Sequence, residues 1–209
     1  MKRQRFVSCI ALLAALAAFG CTKARAPRYY FLTAAPATAQ PGVTQFPVSI
    51  LVGRLSAPRI LRDDRVVYGM GGVELGVDEY HRWTEPPTEM LEQLLVERLR
   101  RSGQYHSVQR ISSSARGDFI LRGHLSGFNE IDDASGSVKA RFVIDLELFD
   151  VKKGTVVWTD GYSEESPVEK KSITSVVEAL QKSVTTGIEK LSGDLAQYFA
   201  SQPQQPAAH

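Results

Sequence analysis

The sequence predicts an α+β domain, a largely antiparallel sheet with two helices packed on one face. Three observations carry that expectation. Val138, Ala140, Phe142, Ile144, Leu146 and Leu148 place six apolar residues at a period of two, the mark of a long strand covered on one side. Ile173, Val176, Val177, Leu180, Val184, Ile188, Leu191, Leu195 and Phe199 keep a three-or-four spacing, the mark of an amphipathic helix. Leu91, Leu94, Leu95 and Leu99 repeat that spacing on a shorter scale behind two prolines.

In chain order, Tyr29–Leu32 reads as a short aromatic strand. Residues 34–45 (AAPATAQPGVTQ) read as a linker without apolar periodicity. The core begins at Phe46, where Val48, Ile50 and Val52 alternate with Leu51 and Leu55 on the other face, so this strand is expected to be covered on both sides. Arg65–Met70 and Val73–Asp78 flank Gly71-Gly72, a two-residue loop suited to a type I′ hairpin. The rival reading of Gly69-Met70-Gly71-Gly72 as a phosphate loop lacks the following lysine and helix.

Thr84-Glu85-Pro86-Pro87 opens the first helix. Thr84 is the expected cap, the prolines suit the first turn, and Glu85 and Glu89 complement the helix dipole. Glu92, Glu97, Arg98 and Arg101 are expected to face water, and Ser102-Gly103 to end the helix. Tyr105–Ile111 is a short strand, 112–117 a polar loop, and Asp118–Glu130 a longer strand with Phe119, Leu121 and Leu125 on one face. Lys152-Lys153-Gly154 turns the chain into Thr155–Tyr162, with Val156, Trp158 and Tyr162 on one side. The helix Ser172–Ala200 presents one sustained apolar face, which packs on its own sheet or, alternatively, on a partner helix.

The N-terminus reads as an address. Lys2, Arg3 and Arg5 precede an uncharged run, Phe6–Phe19, too short to span a bilayer and suited to a signal peptide. Ala17-Ala18-Phe19-Gly20-Cys21 then resembles a bacterial lipobox, which implies cleavage after Gly20 and acylation of Cys21. Ala18 and Phe19 depart from the commonest residues of that pattern. The organisation expected is a lipoprotein signal peptide at 1–20, a lipidated tether with a short strand and linker at 21–45, the α+β domain at 46–200, and a disordered tail at 201–209. Thr22 follows the cysteine, where an Asp retains enterobacterial lipoproteins in the inner membrane, so the expected destination is the periplasmic face of the outer membrane. Cys9 leaves with the signal peptide, so the mature chain has no thiol free for a disulfide.

Composition narrows the function. The 209 residues are 43% hydrophobic and 23% charged, the values of an ordinary globular protein. Removing Lys2, Arg3 and Arg5 from the 25 basic residues leaves 22 against 23 acids, a balance without the basic stripe of a nucleic-acid module. His81, His106, His124 and His209 form no metal-binding spacing, and no G-x-S-x-G is present. Asp63-Asp64 and Asp132-Asp133 are adjacent pairs expected in solvated turns. The reading is therefore of a non-enzyme with no cofactor, no metal and no nucleic-acid partner. The segment Glu79–Pro87 concentrates aromatics and charges where a strand meets the first helix: Tyr80 and Trp83 either plug the core or dock a partner. The second candidate docking surface is the solvent face of the long meander around Arg122, His124, Arg141 and Glu147.

The order of these motifs resembles the PqiC-like family of ABC-type transport auxiliary lipoproteins. The features that carry the resemblance are the lipobox, Tyr29-Tyr30-Phe31-Leu32 behind it, the strand Ile50–Pro58, Val66-Val67-Tyr68, Tyr80-His81-Arg82-Trp83-Thr84-Glu85-Pro86-Pro87 before a leucine-rich helix, Val156-Val157-Trp158, and a long last helix. The resemblance implies a non-catalytic accessory component of an intermembrane lipid transport system, with an MCE-domain substrate-binding protein and its permease and ATPase as partners. Two alternatives stay open: an assembly factor for an outer-membrane β-barrel, and a tethered periplasmic enzyme.

Overall fold

One long strand organises the sheet. β6 (Phe119–Asp132) pairs along one side with β7 (Val138–Asp150), antiparallel from Phe119↔Asp150 to Asp132↔Val138, and β7 pairs antiparallel with β8 (Thr155–Pro167). The other side of β6 is shared. Its first half takes β2 (Phe46–Ser56) in parallel, and its second half meets β3 (Arg65–Met70), also in parallel, at Tyr68↔Glu130. β5 (Tyr105–Arg110) extends the β2 side in parallel. β4 (Glu74–Trp83) pairs antiparallel with β3, and β1 (Arg28–Tyr30) adds to β4 in parallel. The longest ladders are thus antiparallel, as expected, around a parallel centre that strand periodicity alone does not reveal. This computed structural model describes residues 25–33, 45–70, 73–112, 114–132 and 136–202. Gly20, Cys21, most of the linker, the Gly71-Gly72 turn and residues 203–209 of the tail lie outside them.

Two helices cover one face. α1 (Pro87–Arg101) lies on β2 and β5, α2 (Ile173–Ser201) lies on β7 and β8, and the two touch each other. Between them and the sheet sits one apolar core that includes Trp83, Phe128, Phe142, Leu91, Leu95 and Leu180. The six period-two residues of β7 are each no more than 5% exposed. Ser172 caps α2, its side chain accepting from the Ser175 N–H, and the expected apolar face is the buried one. Gly187 lets α2 approach closely: a Cβ there would lie 2.6 Å from Tyr162 Cδ1 and 2.9 Å from Phe142 Cε1. A polar network fastens the same contact. The Tyr162 hydroxyl donates to Glu164 at 2.5 Å, and Ser166 Oγ meets both Glu164 (3.0 Å) and Ser183 Oγ (2.9 Å). Burial and then the Glu164 carboxylate push the Tyr162 phenol up to about 12.

Several expectations are corrected. The first strand is Arg28–Tyr30, one residue early, and Phe31 is exposed. In β2 the register shifts between Val52 and Leu55, and that irregularity turns Leu55 into the helix-covered core with Ile50 and Val52, leaving Leu51 buried on the other face. α1 begins at Pro87 with Pro86 at its cap and no side-chain cap bond; Thr84 instead donates its N–H to Tyr30 O at 2.8 Å, tying it to β1. Glu92 does not face water. It is 4% exposed, accepting from the Leu55 N–H (2.8 Å) and from Arg110 (2.8 Å). A second register shift, opposite Leu148 and Phe149, leaves Val156 41% exposed while Val157 packs with Trp158 and Tyr162. α1 ends as expected, with Gly103 at φ 66, the left-handed conformation glycine adopts without strain.

Candidate functional site

The face of the sheet away from the helices carries the charged candidates. Along β7 the residues between the core positions are Lys139, Arg141, Val143, Asp145, Glu147 and Phe149, which period two directs to this side. Arg122 stands opposite Glu147 in the β6–β7 ladder, and its Nε donates to Glu147 Oε1. The Arg122 guanidinium also lies 5.2 Å from the Phe149 ring centre. His124 stands opposite Asp145, and its Nδ1 is 2.9 Å from Ser56 Oγ. Ser56 donates its hydroxyl hydrogen to Gly123 O at 3.0 Å, so both bonds together require the proton on Nδ1.

The structure therefore brings Arg122, His124 and Glu147 into one cluster and leaves Arg141 apart. Arg141 pairs with Asn129 on β6 and Glu165 on β8. It lies six residues from Glu147 on β7, a separation of about 20 Å along a strand. Asp145 and Ser56 complete the cluster and were not anticipated. The alternation along β7 already placed Asp145 on the outer face; the β2–β6 register that delivers Ser56 to His124 has no local signal.

Tyr80 and Trp83 occupy the other arm, and both belong to β4, which runs on to Trp83 because β1 pairs with its last residues, Arg28↔His81 to Tyr30↔Trp83. Tyr80 is 39% exposed, with the Arg25 guanidinium 5.2 Å from its ring centre. Its N–H donates to Asp78 Oδ1 at 2.7 Å, and the His81 N–H to the same oxygen at 2.9 Å. Burial raises the Asp78 carboxyl, but these bonds and the neighbouring imidazole outweigh it and hold the group below its ordinary range. Trp83 is 1% exposed, with Phe128 at 5.1 Å and Tyr30 at 6.3 Å between ring centres. Of the two aromatics considered for docking, only Tyr80 offers a surface; Trp83 is enclosed by packing on both sides.

Asp63 and Asp64 brace this arm. Asp64 accepts from Arg82 at 2.7 Å, and Asp63 holds Arg65 at 3.0 Å, an interaction that lowers the Asp63 carboxyl to about 2. Among the described residues, no three His, Cys, Asp or Glu side chains converge as a metal site, and no helix is long and apolar enough to cross a membrane.

Two solved structures share this fold. A protein from Xanthomonas campestris assigned to the DUF330 family superposes with a TM-score of 0.73 at 24% identity, covering 82% of this chain and 95% of that one. A second, uncharacterised protein superposes at 0.62 with 16% identity, covering 81% and 99%. No curated protein matches the sequence. The model of one family, however, spans residues 30–191, from the end of β1 well into α2. This chain belongs to the family of ABC-type transport auxiliary lipoprotein components.

Proposed function

We propose that the chain is a non-catalytic accessory component of an intermembrane lipid transport system, anchored to the periplasmic face of the outer membrane by acylation of Cys21 after cleavage behind Gly20. Residues 1–20 are then the signal peptide, 21–45 the lipidated tether, 46–200 the working domain and 201–209 a tail. Its partners are an MCE-domain substrate-binding protein with the associated permease and ATPase. The observation that carries this reading is the family match across the folded domain, joined to the Gly20-Cys21 lipobox in front of it.

The docking surface in this reading is the uncovered face of β6 and β7 around Arg122, His124 and Glu147, with Arg141 farther along and Tyr80 on the neighbouring arm. Charged pairs on an open face favour encounter and register over raw affinity, which suits an accessory contact. The test is purification of the full-length protein from its own membranes. An MCE-domain protein should co-purify, and Arg122→Ala combined with Glu147→Ala should weaken its recovery without loss of the lipoprotein. Recovery of an outer-membrane β-barrel in place of the MCE protein would replace this reading with the assembly-factor one. Cys21→Ser should abolish incorporation of labelled palmitate.

A further inference from the structure

The strand register gives the molecule two distinct ends. Tyr68↔Glu130, Asp132↔Val138 and Lys139↔Pro167 place the β3–β4 hairpin end, the end of β6, the start of β7 and the end of β8 together. The turn between Asp150 and Thr155 and the start of β6 lie at the opposite end. Among the described residues of the hairpin end, two aliphatic side chains are exposed: Val73 at 93% and Leu75 at 52%. Val73 stands in the turn immediately before β4, and Leu75 is the second residue of that strand. Isolated exposed aliphatics are ordinary. These two stand out because of where the N-terminus leads.

β1 runs parallel to β4 with Arg28 beside His81, so the chain before Arg28 travels back along β4 toward the hairpin end. Arg25, over the Tyr80 ring at 5.2 Å, agrees with that path. Counting back from Arg28↔His81 sets Arg25 level with Asp78. From Asp78, Leu75 and Val73 lie about 10 and 17 Å farther along an extended strand. From Arg25, the four remaining steps to Cys21 span up to about 14 Å. The tether therefore reaches past the level of Leu75 and to within about 3 Å of the level of Val73, and is too short to hold the hairpin end far from the bilayer.

We propose that Val73 and Leu75 insert into the phospholipid leaflet that holds the Cys21 acyl chains, so that the domain is held at two points with its hairpin end on the membrane. The inference rests on the acylation of Cys21. The turn after Asp150, where Val151 is 48% exposed, and Val156 beside it on β8, 41% exposed, then face away from that membrane.

The mature chain offers a direct test, because Cys9 is removed and Cys21 is blocked by acylation. A single Val73→Cys or Val156→Cys substitution supplies the sole reactive thiol of the full-length, lipidated protein. Each is labelled with an environment-sensitive fluorophore and reconstituted on vesicles of phosphatidylethanolamine and phosphatidylglycerol carrying doxyl-labelled acyl chains. The probe at 73 should be quenched and that at 156 should not. Protein that floats with the vesicles while the probe at 73 is no more quenched than that at 156 overturns the inference and leaves the anchor intact. Protein without an acyl chain by mass spectrometry overturns the anchor, and the inference with it. As a second measurement, the Val73→Ser, Leu75→Ser double variant should leave the vesicles at least about tenfold faster, the change expected from losing buried aliphatic surface. An unchanged release rate counts against insertion.

Discussion

The meander β6–β7–β8 and the arm β3–β4–β1 are written in the same alternating pattern and end in different surroundings. On β7 the apolar side is closed along its length, with Ala140, Phe142, Ile144 and Leu148 all at 0% exposure. In the arm, Val66, Val67 and Trp83 are enclosed to within 2%, yet Leu75 on the same β4 strand as Trp83 is half exposed. α2 packs on β7 and β8, whereas neither helix makes an extensive contact with β3 or β4. Alternation decides which side of a strand a residue occupies. A covering element decides whether that side is dry.

If cover is the deciding variable, substitutions should rank by it. Trp83→Ala should cost the most, about 3–5 kcal/mol by urea denaturation, because it opens a cavity against Phe128 and Tyr30. A loss below about 1 kcal/mol would mean that Trp83 is not held in the core in solution. Glu92→Ala should follow at about 1–3 kcal/mol, since it strips the buried Leu55 N–H of its acceptor. Glu92→Gln should recover most of that, because the amide oxygen still accepts; equal losses for both variants would point to charge and not to the hydrogen bond.

On the uncovered face the expected effects shrink. Arg122→Ala should change stability by about 0–1 kcal/mol, as both partners of its ion pair remain in contact with water. Leu75→Ser should move it by no more than about 0.5 kcal/mol. A Leu75→Ser cost approaching that of Trp83→Ala would break the comparison, because it would reveal cover over the hairpin end in solution. The same substitution sharpens the membrane proposal: it alters vesicle retention only if Leu75 works outside the fold.

The candidate site was legible to the same extent as the fold, and for the same reason. Arg122, His124 and Glu147 could be placed on one outer face because each strand's own alternation put them there. Their adjacency, and the separation of Arg141 from them, depend on the β6–β7 register, to which residues on both strands contribute. Tyr80 and Trp83 stood out as aromatics in a charged stretch, but their different fates follow from β1 pairing with the end of β4 and from Phe128 arriving on β6.

Periodic burial, the start of the last helix at Ser172 and the glycine stop at Gly103 are local, set by residues within a few positions of one another, and they could be read directly from the chain, whereas the cap expected at Thr84 did not form. The resemblance of Ala17-Ala18-Phe19-Gly20-Cys21 to a lipobox is equally local. Glu92 shows the other kind of feature. On its own helix it reads as one more charged residue, and only the packing of α1 across β2 and β5 brings the Leu55 N–H and the Arg110 guanidinium to it. The parallel centre of the sheet, the shifts that redirect Leu55 and Val156, and the exposure of Val73 and Leu75 likewise belong to tertiary structure. Each depends on which distant segment lies alongside, and hydrophobic burial, having no direction of its own, leaves that choice to the packing of the whole domain.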